Sequence, residues 1–264
     1  MHPIERLRWI ARDRDETPTT LAVEAAWALS ELALDEPPAV VTACRRLVES
    51  HVTMGPLWWV AATVLVAPDP DQAARRAVGE LVSDPTAELL GVGLGDRLVG
   101  DAPLVVAFPA ETVLEACSQR PVPVVRVVGS SPRLRAQVRL FAAVVSQASS
   151  WDCGEAEQAV QGAAVVLVEA LAAGSRGVLV TAAAADVAHA ARGASVPLWG
   201  VAGVGRVLHG QLLGEVMRRA GDSVQLLEPG VFDLLAGPSG LESPIGVLGR
   251  GGCPPAPELV VRGG

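Results

Sequence analysis

The chain has 264 residues, a formal net charge of −8 and an apolar half, and all 21 of its cations are arginine. Lysine, asparagine and tyrosine are absent, which excludes a lysine Schiff base, a phosphate-loop lysine and a tyrosine proton donor. The arginine pairs Arg45-Arg46, Arg75-Arg76 and Arg218-Arg219 are scattered among acids, and with the acidic balance this argues against direct nucleic-acid binding.

Cys44, Cys117, Cys153 and Cys253 lie far apart with no Cys-x-x-Cys pair, and the four histidines show no ligand spacing. Idle thiols, no metal and no cofactor are therefore expected. The N-terminus carries charge throughout, and the longest strongly apolar run, 58–67, is too short to span a bilayer. The expectation is a soluble cytoplasmic protein without a membrane partner.

Residues 1–85 read as a helical N-terminal domain. Thr17 is a predicted N-cap with Pro18 at the first helical position, ahead of LAVEAAWALSELAL. Glu36-Pro37-Pro38 breaks that helix, AVVTACRRLVES begins the next, and Asp69-Pro70 repeats the cap-then-proline signal. Trp9, Leu21 and Trp27 are expected to share one apolar face.

Residues 86–264 change grammar. Strands are predicted at 103–108, 123–128, near Val144, at 165–168, 195–202 and 223–227. Helices lie between them, including one opening soon after Gly205 and running through VLHGQLLGEVMRRA. Apolar strands alternating with helices predict a Rossmann-like α/β domain with a mostly parallel sheet. The Gly- and Pro-rich stretch 229–257 reads as an extended tail.

Two groups of residues suggest chemistry. Gly203, Gly205 and Arg206 follow a buried strand at a predicted helix start, where free amides and a guanidinium favour an anion. The alternative is a tight turn with a solvated arginine. Glu169 ends a strand where parallel sheets place ligands, and with Glu111 it is a candidate general base. The alternative is a carboxylate that is hydrated or caps a neighbouring helix.

Four segments resemble the translation initiation factor 2B alpha/beta/delta family, which includes the ribose-1,5-bisphosphate and methylthioribose-1-phosphate isomerases. SHVTMGPLWWVAATVL (50–65) is similar to its Arg-Pro-Thr-led helix, and LVVAFPAETVL (104–114) to its Thr-His-Ser/Cys strand. VVRVVGSSP (124–132) is placed like its Glu-Ser-Arg-Pro turn, and 165–202 like its Gly-Ala-Asp … Asn-Lys-x-Gly-Thr unit. CPPAPELV is similar to a terminal Pro-Pro-Glu-Leu element.

The resemblance implies a homodimer built through the α/β domain and a site for a sugar phosphate or nucleotide. It also implies that His51, at the place of a phosphate-binding arginine, and Thr53 border that ligand. The isomerases use a cysteine and an aspartate, but here Ala107, Phe108, Pro109 and Ala110 occupy the cysteine's segment and Leu171 the aspartate's position. Val180 and Thr181 replace the Asn-Lys pair, and Gly129-Ser130-Ser131-Pro132 the polar turn. Losing one acid or base removes a factor of about 10²–10⁴. The implied protein is a pseudoenzyme, a non-catalytic or regulatory binder; the alternative is an aldose–ketose isomerase with relocated acid and base.

Overall fold

The computed structural model describes residues 2–98, 100–131 and 133–260. It opens with α1 (Pro3–Ile10) and α2 (Pro18–Asp35). Thr17 caps α2 by accepting from the Thr20 amide, and Pro18 sits where no amide partner is needed. α3 (Val40–Ser50) follows the proline break and α4 (Gly55–Val66) follows a short turn. α5 (Pro70–Val82) starts behind Asp69, which accepts from the Gln72 amide.

α4 is apolar on every side, as a helix enclosed by others must be. Leu57, Trp58, Val60, Ala61, Ala62 and Val64 on it have no exposed surface. The expected aromatic face is corrected here: Leu21 is fully buried, but Trp9 and Trp27 are 50% and 37% exposed. Trp27 lies instead under the Arg75 guanidinium, 6.0 Å away.

α6 (Thr86–Arg97) packs on the large sheet. There follow β1 (Leu104–Ala107), α7 (Glu111–Gln119), β2 (Val124–Val128), α8 (Leu134–Val144) and β3 (Gln147–Trp151). Then come α9 (Ala156–Ala159), β4 (Val165–Glu169), β5 (Ala172–Gly174), β6 (Gly177–Thr181), α10 (Ala182–Gly193) and β7 (Leu198–Val201). The chain closes with α11 (Gly210–Ala220), β8 (Val224–Leu227), β9 (Leu234–Gly237), β10 (Gly240–Glu242) and α12 (Pro244–Leu248).

The large sheet has the order β10-β9-β7-β4-β1-β2-β3 and is parallel except for β10 on β9. Its central strands are covered on both faces, which is why β1 and β4 are unbroken apolar runs. The direction of winding reverses between β1 and β4, which makes a crevice at their carboxyl ends.

Several expectations need correction. Of residues 223–227, 224–227 form β8, but in a separate antiparallel sheet of order β5-β6-β8. The strand expected near Val144 lies at β3, because α8 runs through that valine. The supposed tail holds β9, β10 and α12, elements too short to show a period. The core of the helical segment also takes in Ala172, Leu179, Leu208, Leu212, Leu213 and Val216, with Cys253, Ala256 and Leu259.

Candidate functional site

Glu169, the last residue of β4, stands in the crevice beside β1. The crevice is filled by this carboxylate: the Thr112 amide donates to Oε2 at 2.9 Å and the Thr112 hydroxyl to Oε1 at 3.1 Å. Glu169 thereby caps the first turn of α7, where amides lack helical partners and the helix dipole favours negative charge. Arg206 closes over it. Its Nη2 donates to Glu169 Oε1 at 2.6 Å and to Glu111 Oε2 at 3.3 Å, and its Nη1 donates to the Ala170 carbonyl at 2.7 Å. The Thr19 hydroxyl of α2 donates to the same Glu111 oxygen at 3.2 Å.

Glu169 and Arg206 are only 5% and 4% exposed. Burial pushes the Glu169 carboxyl up to about 7; Arg206 opposes that rise and Glu111 reinforces it. Glu115, one turn along α7, is also raised, by burial and then by the charges of Glu111 and Asp84. The structure therefore joins two sequence candidates, Glu169 and Glu111, to Arg206 in one internal ion-pair cluster.

The glycine loop behaves differently from its sequence pattern. Residues 203–206 leave β7 but open no helix; α11 starts at Gly210, behind His209, whose Nδ1 accepts from the Gln211 amide at 3.4 Å. An anion does rest on the loop, but it is the side chain of Asp84. Val204 N–H donates to Asp84 Oδ2 at 2.7 Å, while Oδ1 accepts from the Thr86 amide at 2.9 Å and its hydroxyl at 2.5 Å. A Cβ on Gly203 would strike that carboxylate. Gly205 has φ +78° and abuts Pro56 and Trp59. The exposed guanidinium expected at a rim is thus corrected, since Arg206 spends its donors inside the protein.

His51 and Thr53 lie apart from this cluster, in the turn between α3 and α4. His51 is buried, with Nε2 2.7 Å from the Ile10 carbonyl and 3.5 Å from Arg14 Nη1. Burial holds its pKa below the ordinary histidine value. The same turn does reach the segment of Leu171, because the Gly55 amide donates to the Leu171 carbonyl at 2.9 Å. Pro132, part of the expected polar turn, lies outside the described residues.

A cleft of about 540 Å³ runs between α4 and α5 on one side and the carboxyl ends of β7 and β9 on the other. Gly203, Val204 and Gly205 line it, with Trp59, Thr63 and Ser239, and Arg76, Arg250 and Glu80 contribute charge. Arg250 is paired with Glu242. Arg206 does not line this cleft.

Sequence reasoning missed Asp84, Thr112 and Arg76. Asp84-Pro85-Thr86 carried a signal, since an aspartate two residues before a threonine often accepts its amide in a turn. Among the described residues no group of three histidines, cysteines or acids is placed to hold a metal. None of their helices is long and apolar enough to cross a membrane. Burial pushes the thiols of Cys44 and Cys117 up to about 12 and that of Cys253 to about 11, which leaves them unreactive.

No family model matches the sequence, and no curated protein does. The three-dimensional structure has clear neighbours. The translation initiation factor eIF-2B of Pyrococcus horikoshii OT3 superposes with a TM-score of 0.75 at 16% identity, covering 93% of this chain and 98% of that one. The fold is that of initiation factor 2B. A chain of the tetrameric eIF2B-beta2-delta2 complex from C. thermophilum gives 0.69 at 16% identity, covering 94% and 93%. The eIF2B delta of Chaetomium thermophilum gives 0.63 at 11% identity, covering 89% and 96%. The initiation factor 2B-like fold thus extends over nearly the whole of this chain, helical segment and sheet together.

Proposed function

We propose that this chain is a non-catalytic member of the initiation factor 2B alpha/beta/delta family. On this reading it binds a small anionic ligand and works as a regulatory subunit in the cytoplasm, assembling with a second copy through the α/β domain. One observation carries the reading: the crevice at the β1–β4 reversal is occupied by Glu169, Arg206 and Glu111 paired with one another. Three charged groups engaged in this way hold no free acid, base or cation for a substrate. The apolar Phe108 and Leu171 beside the same strand ends point the same way.

The ligand's place is the cleft beside Gly203 and Gly205. Its charge is met by Arg76, which shares the cleft wall with Glu80, rather than by Arg206. A second reading, an isomerase, draws support from Glu169 itself, since a carboxyl held near 7 is matched to proton transfer at neutral pH.

A thermal-shift screen of sugar phosphates and nucleotides tests the first reading. A ligand at about 100 times its Kd adds roughly 2.7 kcal/mol, and Arg76→Ala should remove that shift. Turnover of ribose 1,5-bisphosphate or methylthioribose 1-phosphate by pure protein, abolished by Glu169→Gln, would establish the second reading instead.

A further inference from the structure

Glu111 and Glu169 share one guanidinium, with Glu169 and Arg206 buried and Glu111 at the edge of the cluster. With both ionised, the cluster holds one negative charge in excess. With one protonated it is neutral, while Glu169 keeps the Thr112 amide on Oε2 and the Arg206 guanidinium on Oε1.

The cluster also spans the molecule. Glu169 belongs to β4, Arg206 to the loop after β7, Glu111 to α7, and Thr19, which donates to Glu111, to α2 of the helical segment. We propose that one proton held within the Glu169–Arg206–Glu111 cluster latches the start of α2 onto α7, and that its loss releases that turn.

The reasoning follows the more mobile member. Glu169 is enclosed and bonded at both oxygens, whereas the Glu111 side chain is 24% exposed. When a second negative charge appears, repulsion and poor solvation act on both carboxylates, and Glu111 is the one able to turn to water. Its departure removes the acceptor of the Thr19 hydroxyl. The neighbouring contact of that region, Arg133 with Asp15 at 2.8 Å, has Asp15 96% exposed, so water screens it and it cannot hold the junction alone.

The surroundings leave Glu169 as the group that titrates. Arg206 faces it from the loop after β7 and Glu111 from α7, while Glu115 of α7 and Asp84 before α6 add negative charge around Glu111. β1 and β7 carry no charged residue, and α10 turns alanine and valine inward. The sign follows from linkage. The folded protein keeps its proton up to about 7, whereas the unfolded chain releases it near the ordinary 4.5. Stability and docking are therefore greatest below the ordinary carboxylate value and fall as pH rises through neutrality. The idea is independent of any ligand in the cleft.

Hydrogen exchange of the first two turns of α2, corrected for the intrinsic pH effect, provides the test on the full chain between about pH 5.5 and about pH 8.5. Wild-type protection there should fall by about tenfold or more across neutrality. Glu169→Gln should make it independent of pH. Thr19→Val should leave α2 weakly protected at every pH while the thermal midpoint keeps its wild-type pH dependence. If Glu169→Gln does not fold, Thr19→Val still decides the matter. Wild-type protection that stays constant across neutrality, a Glu169→Gln profile parallel to wild type, or a Thr19→Val profile equal to wild type would overturn the latch.

Discussion

Asp84→Ala offers the most direct measure of how the glycine loop is held. The Asp84 carboxylate accepts from Val204 N–H at 2.7 Å and from the amide and hydroxyl of Thr86, a residue with no exposed surface. Removing it strands three donors, the Val204 amide and the amide and hydroxyl of Thr86. A buried donor left without a partner costs about 1–3 kcal/mol, so the three cost at least about 3 kcal/mol. Relief of the repulsion with Glu115 works the other way, but a partly exposed carboxylate recovers only a small fraction of that sum. A net loss of about 3 kcal/mol follows. At about 2–4 °C per kcal/mol for a chain of this size, the thermal midpoint should drop by about 6–12 °C. Urea unfolding at neutral pH gives the free energy, and the slope m should stay unchanged because the surface exposed on unfolding is the same. Asp84→Asn keeps one carbonyl acceptor and should lose less than Asp84→Ala. Added formate should return part of the stability of Asp84→Gly, by occupying the vacated position against Val204 N–H, and none of the wild type's. An Asp84→Ala variant within about 0.5 kcal/mol of wild type would show that the carboxylate does not hold the loop, and the reasoning would fail.

Arg206→Ala should destabilise by about 3–5 kcal/mol, because Glu169 would be left buried without its counter-charge. Urea unfolding checks this, and a loss under about 1 kcal/mol would mean that water replaces the guanidinium. Gly177→Ala should cost more than about 2 kcal/mol, since φ of +146° strains any side chain and the new Cβ meets the Leu227 carbonyl in the paired strand. Thermal melts of this variant against Gly79→Ala, whose added Cβ meets nothing, separate strain from the loss of glycine flexibility.

Much of the architecture was legible in the order of residues. Thr17 with Pro18 and Asp69 with Pro70 marked helix starts, because a cap and a proline act within one turn and need no distant partner. β1 and the first four residues of β4 were legible as unbroken apolar runs, because a parallel strand covered on both faces leaves no room for alternation. The alternation of such runs with helices was enough to predict a mostly parallel sheet, and the resemblance of four segments pointed to the initiation factor 2B fold later found by superposition. β9 and β10 were not legible, since four and three residues carry no measurable period and their glycines and prolines resemble those of a loop.

The site was decided by tertiary structure. Arg206 and Glu169 are 37 residues apart and Arg206 and Glu111 are 95 apart, so no local rule reveals that the guanidinium is already taken. Asp84 lies 120 residues from the Val204 amide that it accepts from. A sequence states which groups can carry charge and where a helix can begin. Whether a charge faces water or an internal partner depends on which strands lie side by side, and that is fixed only when the whole core packs.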